Sequence, residues 1–283
     1  MTDIAARAAA ARRRRAIGNA VQAAILLLAI FLILFPIVWM GLTAFKRPMD
    51  LFDLTILFTP TFDNFRTIFA PPWNISRTLL NSTIVATATV LISIPCSTLA
   101  AYAFSRFEMP FKGGLFFTIL ATQFIPAVVV VLPFYLLFRD LGLLDTHLAL
   151  VVVNLAIVTP FAVWMLKGFL DAVPTESEEA AMVDGATRLR VILDIVVPMI
   201  WPGVLVAAVF CFILTWNEFL FALILTREDA VTLPVGITRF RTDRGDLWEL
   251  IAAAGILISI PMFLMASVIQ RHFVRGMTGG AVK

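Results

Sequence analysis

Seven charged side chains interrupt the apolar second half of this sequence within one stretch, PTESEEAAMVDGATRLRVILDIVVPMIWP, from Pro174 to Pro202. Glu179, Asp184, Arg188, Arg190 and Asp194 would each cost about 2.5–3.5 kcal/mol at membrane depth, so the stretch does not insert into a bilayer. Nothing in it supplies a nucleophile with a matched base. The chemistry it suits is recognition of another protein. Ala180 and Ala181 give one face almost no side-chain bulk, which lets a second backbone approach closely. Elsewhere the chemical inventory is thin. No G-x-x-x-x-G-K-[ST] occurs, so ATP binding through a P-loop is not expected. His147 and His272 are solitary, and no His, Cys, Asp and Glu cluster has metal spacing. Cys96 and Cys211 lie in apolar runs and read as small buried hydrophobes. We expect no catalytic residues, no metal and no cofactor in this chain.

Local signals say how the stretch is built. Pro174 and Thr175, with Glu178 three positions after Thr175, have the form of a helix start with a capping box. Gly185 permits a sharp turn. A second short helix follows, with Leu189, Ile192, Leu193 and Val196 on one face and Arg190 and Asp194 roughly opposite. Pro198 suits the first turn of the next helix. The expectation is a helix–turn–helix, residues 169–197, lying against a membrane with its alanine face toward water.

The surrounding composition requires that membrane. Hydrophobic residues make up 60% of the chain and charged residues 14%. A soluble domain is excluded by that balance. The net charge of +3 is modest and concentrated at membrane edges, which suits lipid headgroups. There is no basic-plus-aromatic platform for nucleic acid. An alanine-rich tail, residues 1–15, ends in Arg12 to Arg15 and reads as disordered. Six uncharged runs follow: 16–45, 78–105, 113–138, 146–166, 195–217 with an apolar continuation to 226, and 250–270. Each is long enough to cross a hydrocarbon core of about 30 Å at roughly 1.5 Å per residue. Pro95, Pro126, Pro133, Pro160 and Pro261 predict bent helices. Phe62 to Phe69 reads equally as a short outer helix or a linker. Residues 271–283 form a basic tail.

Six spans put both termini on one side. That side carries 13 of the 22 Lys and Arg, mostly through the N-terminal cluster, which favours the cytoplasm. Within the spans, Thr83, Thr87, Gln123, Asn154 and Asn217 read either as the lining of a path for a hydroxyl-rich solute or as interhelical glue. Glu218 reads either as a pathway or gate residue or as a helix-packing or local hydrogen-bonding group.

Glu179-Ala180-Ala181, three residues, Gly185, nine residues, Ile195, two residues and Pro198 reproduce the pattern E-A-A-x3-G-x9-I-x-x-P. In this the chain resembles the permease subunits of binding-protein-dependent ABC importers. Ala100 to Arg106 (AAYAFSR), Trp216 to Leu223 (WNEFLFAL) and the tail from Gln270 narrow the resemblance to carbohydrate permeases of the maltose-importer type. It covers residues 16–283. Val197 in place of the usual leucine, and His272 in place of an aromatic, are the departures. The resemblance implies an all-α inner-membrane protein of type I permease fold, with N- and C-termini cytoplasmic. Its expected partners are a second permease, a dimer of ATP-binding subunits carrying ATP and Mg, and a periplasmic sugar-binding protein. Glu178, Glu179, Ala180, Ala181, Asp184, Gly185 and Pro198 would form the handle that couples to the ATPase. The rival reading is an ATP-independent secondary transporter or channel, which would ordinarily carry more intramembrane charge.

Overall fold

The computed structural model describes residues 2–52, 57–243 and 245–279, and among these it has thirteen α-helices, three short 3₁₀ or π turns and one hairpin of two-residue strands. Helix α1 runs Thr2–Ala44 and α2 Asp63–Phe69. Next come α3 (Ile75–Arg106), α4 (Lys112–Ala121), α5 (Ala127–Asp140) and α6 (His147–Asp171). The central loop contains α7 (Glu176–Val183), α8 (Arg188–Val191) and α9 (Val197–Met199). Then follow α10 (Trp201–Trp216), α11 (Leu220–Leu225), α12 (Leu233–Thr238) and α13 (Trp248–Gly279). A hairpin of β1 (Arg241–Thr242) and β2 (Gly245–Asp246) precedes α13, pairing Arg241 with Asp246 and Thr242 with Gly245.

Four helices are long and apolar enough to cross a membrane: 17–44, 75–106, 147–171 and 248–267. The other two expected spans are broken. Helices α4 and α5 meet at 93°, with a 3₁₀ turn at Thr122–Phe124 and Pro126 at the junction. Proline disfavours helical backbone at the residue before it, and Ile125 is accordingly extended, at φ −77° and ψ 118°. By contrast, Pro95 and Pro133 remain inside α3 and α5. In the fifth segment, the helix Arg188–Met199 meets α10 at 83°, and α10 ends at Trp216, short of α11.

One expectation is corrected at the N-terminal end. Residues 2–15, read as a disordered tail, continue α1 as helix; alanine has the highest helix propensity and arginine is close behind. The basic tail is also helical as far as Gly279, and residues 280–283 lie outside the described residues. Asp63–Phe69 is a helix rather than a linker. The Asn64 amide pins it by donating to the carbonyls of Ala44 and Lys46, both at 2.8 Å.

Helix α3 packs against α6 and α10, and α1 against α13. One buried cluster joins Tyr102, Leu166, Leu170, Val191, Val196 and Ile200, at the end that carries the central loop. Two others lie toward the opposite end, around Val153 and Phe221 and around Ile68, Trp216 and Phe240. Helix α1 is bare over much of its length: every residue from Ile17 to Val38 is exposed. So much unbroken apolar surface requires lipid or a second protein.

Candidate functional site

Helix α7 ends in a Schellman motif that accounts for Gly185. The Ala186 amide donates to the Ala181 carbonyl at 3.0 Å, and the Gly185 amide to Met182 at 3.1 Å. That geometry sets Gly185 at φ +87°, which disfavours any residue with a Cβ although nothing lies within 4 Å of where one would stand. Ala181 and Ala186, the two ends of the motif, pack against the Tyr102 cluster. Thr187 then caps α8, its hydroxyl accepting from the Arg190 amide at 3.4 Å.

The capping box expected at Thr175 does not form. Thr175 makes no side-chain cap bond and already has helical backbone angles. Glu178 is drawn away by stronger partners. Its carboxylate is 3% exposed, accepts from the Tyr102 hydroxyl at 2.9 Å and lies 2.8 Å from the Arg106 guanidinium. Arg106 also donates to the Val173 carbonyl at 2.9 Å. Beside it, Ser105 donates to Asp171 at 2.7 Å, and Lys167 pairs with the same carboxylate at 2.6 Å. The last turn of α3 is thereby tied to α7, to the α6–α7 connection and to the end of α6. Tyr102 and Arg106, which carry this junction, lie in the AAYAFSR stretch, but their pairing with a residue more than 70 positions away has no local signature.

The consequence is a division of labour along α7. Glu178 faces inward and Ala181 packs inward, whereas Glu179, Ala180, Asp184 and Gly185 are exposed. Glu179 has no side-chain hydrogen bond or ion pair among the described residues. A short, free acidic–alanine edge, rigidly backed, is what the segment offers to water.

The second helix departs from its expected face. Val191, Ile192 and Val196 are buried, but Leu189 and Leu193 are 58% and 57% exposed. Residues Ile192–Val196 form a π-helical turn, whose wider spacing shifts the phase that a 3.6 period predicts. Arg190 and Asp194 are exposed, as expected, and they pair with each other at 3.2 Å. Pro198 opens α9, ahead of the bend, rather than the first turn of α10.

The six candidate pathway residues lie on α3, at the α4–α5 break, on α6 and at the α10–α11 junction. Gln123 sits at the α4–α5 break and donates to the Ile157 carbonyl at 2.8 Å. It lines a cavity of about 610 Å³ with Thr122, Phe134, Ala156, Pro160 and Phe221. Pro160 lacks the N–H that the Ala156 carbonyl would otherwise receive. Asn154 is buried and donates within its own helix to Leu150. Thr83 and Thr87 are exposed on α3, Thr83 bonding back to Leu79. Asn217 is exposed and donates to Ile213. Glu218 caps α11, its oxygens accepting from the amides of Phe221 at 2.7 Å and Ala222 at 3.0 Å.

At the opposite end a second junction was invisible in the sequence. Asp145, at φ +58°, receives four consecutive backbone amides, Arg227 to Ala230, at 3.0–3.1 Å. Burial pushes its carboxyl up, but these donors outweigh that and hold it down to about 2. His147 faces Asn81 at 2.8 Å, and Asn81 donates to the carbonyls of Asp229 and Val231. No metal-binding group of three occurs among the described residues, and the His272 side chain lies outside them.

Residues 93–279, which include the whole central loop, match the model of the family described as "Binding-protein-dependent transport system inner membrane component". The chain belongs to that family. It is 33% identical over 257 residues to the diacetylchitobiose uptake system permease protein DasC of Streptomyces coelicolor, covering 89% of this chain and 92% of that one. To the trehalose/maltose transport system permease protein MalG of Thermococcus litoralis it is 34% identical, over 88% and 91% of the two chains. A chain from the crystal structure of a bacterial ABC transporter that imports the acidic polysaccharide alginate superposes with a TM-score of 0.79, covering 91% of this chain and 96% of that one, at 20% identity. The permease fold is therefore shared. The chain is a multi-pass membrane component of a binding-protein-dependent importer.

Proposed function

We propose that this permease carries carbohydrate across the bacterial inner membrane, driven by ATP hydrolysis on a separate subunit. The observation that carries the coupling half of this reading is α7: a free edge of Glu179 and Ala180 on a helix anchored from behind by the buried Arg106–Glu178 pair. Such an edge can seat in a cleft of an ATPase, with Glu179 meeting a basic residue there. Ala180 keeps the approach close, and Asp184 and Gly185 set the exit angle. Because α7 is fixed to α3 and α6, its displacement passes to the spans rather than being absorbed in a loop. Family membership favours this over an ATP-independent transporter.

The sugar assignment is supported by the names of the relatives, which take up diacetylchitobiose, trehalose and maltose. The exposed Thr83, Thr87 and Asn217 and the cavity-lining Gln123 are the path residues we favour. Asn154 and Glu218 act more simply as local hydrogen-bonding groups. A second permease covers α1, a dimer of ATP-binding subunits with ATP and Mg binds α7, and a periplasmic sugar-binding protein docks opposite. Both termini and α7 then face the cytoplasm.

Glu179→Lys and Gly185→Pro provide the test, in complexes reconstituted into liposomes. Both variants should reach the membrane, yet lose ATP-driven sugar uptake while ATP hydrolysis no longer tracks transport. Uptake at the parental rate in both would refute the coupling role of this segment.

A further inference from the structure

The face opposite α7 holds a pocket that the transport reading does not use. Arg77 and Arg106 stand at the two ends of α3, 29 residues and so about 44 Å apart. The pocket, about 390 Å³ in volume, lies at the Arg77 end. Three arginines from separate elements converge on it: Arg77 from the first turn of α3, Arg227 from the segment after α11, and Arg239 from the end of α12. Trp73 and Asn74 form a wall, and Glu228 is the one carboxylate in the lining.

The three guanidinium groups are not equally committed. Arg77 pairs with Asp229, and Arg239 donates to the Arg227 carbonyl at 3.1 Å. Arg227 itself is exposed and has no side-chain partner among the described residues. The frame that presents it is stiff. Asp145 clamps the four amides from Arg227 to Ala230, and Ser82 accepts from the Leu233 amide at 2.7 Å. Trp73 is braced against Phe240 at a ring separation of 5.0 Å.

We propose that this pocket receives an acidic side chain of the soluble protein that delivers the solute, with Arg227 as its main contact. The inference rests on the importer reading and adds to it a specific site and chemistry. A guanidinium fork matches a carboxylate in two parallel hydrogen bonds, and arginine is enriched among the residues that dominate interfaces. The pre-formed frame means little ordering on contact, which favours affinity. The lining is mainly polar and offers an acyl chain no apolar bed, so a lipid is the poorer occupant. Its distance from α7 excludes the ATPase.

The test uses the complete complex in nanodiscs, with the solute-binding protein that best stimulates ATP hydrolysis by the parental complex. Arg227→Glu should raise the half-stimulating concentration of that protein about tenfold or more and flatten its dependence on salt. Arg239→Gln should act in the same direction more weakly, and Arg66→Glu, an exposed arginine outside the pocket, should have no effect. Changing exposed Asp and Glu residues of the binding protein to Arg, one at a time, should yield one variant that restores Arg227→Glu. An unchanged half-stimulating concentration in Arg227→Glu overturns the proposal and leaves the importer reading standing. So does a defect that follows only the phosphatidylglycerol content of the nanodisc, or only the KM for an acidic sugar such as galacturonate. Failure of any binding protein to stimulate the parental complex removes the importer reading, and this inference with it.

Discussion

Replacing Glu178 with alanine removes one partner of a buried ion pair whose side chains are 10% and 3% exposed. The Arg106 guanidinium would keep its bonds to the Val173 carbonyl and the Ser105 hydroxyl but lose the carboxylate that neutralises it. Breaking such a pair from one side costs about 3–5 kcal/mol. The cost should fall on local opening of α7 rather than on the spans, because the apolar clusters along α3, α6 and α10 are untouched. At about 1.4 kcal/mol per factor of ten, protection of the α7 amides against hydrogen exchange should drop by roughly two to three and a half orders of magnitude, or until the helix is fully open. Exchange mass spectrometry on the purified membrane protein reads this directly, with peptides from 176–187 compared against peptides from α6. A paired replacement, Glu178→Leu with Arg106→Met, should recover much of the protection, since a buried apolar pair of similar size is often no worse than the ions. If Glu178→Ala leaves the exchange of 176–187 unchanged, the strut does not hold α7 and the argument for rigid transmission fails.

Asp145 predicts a pH dependence at the other end of the molecule. Its folded value, about 2, lies below the ordinary 3.8, so the contribution is complete above about pH 4 and fades as pH falls toward 2. Asp145→Asn should cost on the order of 1–2 kcal/mol at neutral pH, after allowance for partial solvent screening, and should remove that acid-sensitive component from thermal melts. Glu218→Ala should lose the α11 cap and about 0.5–2 kcal/mol of stability while uptake by correctly inserted protein persists; abolished uptake at normal stability would reinstate a pathway role. Gly203→Ala places a Cβ 2.4 Å from the Phe169 ring and should cost about 1–3 kcal/mol through overpacking of α6 on α10. Adding Phe169→Ala should relieve that clash, and a double-mutant cycle in which the two changes are merely additive would show the contact to be unimportant.

Much of this protein is legible in its sequence alone. Apolar runs bounded by charges place the spans, because a charge in hydrocarbon costs more than a single residue can recover elsewhere. The E-A-A…G segment and its turn were legible because a left-handed C-terminal position has few solutions and Gly185 is one of them. Tertiary structure decided the rest. Glu178 has the right spacing for a capping box, yet a buried guanidinium and a phenol offer its carboxylate charge-assisted bonds that a cap cannot match. The face of the second helix depended on a π turn, and a 3.6-residue period carries no information about where that period is interrupted. The Asp145 clamp joins residues more than 80 apart through backbone amides, which every sequence possesses and none advertises. Local preference and hydrophobicity are properties of neighbours along the chain, whereas these pairings depend on which ends of which helices packing brings together.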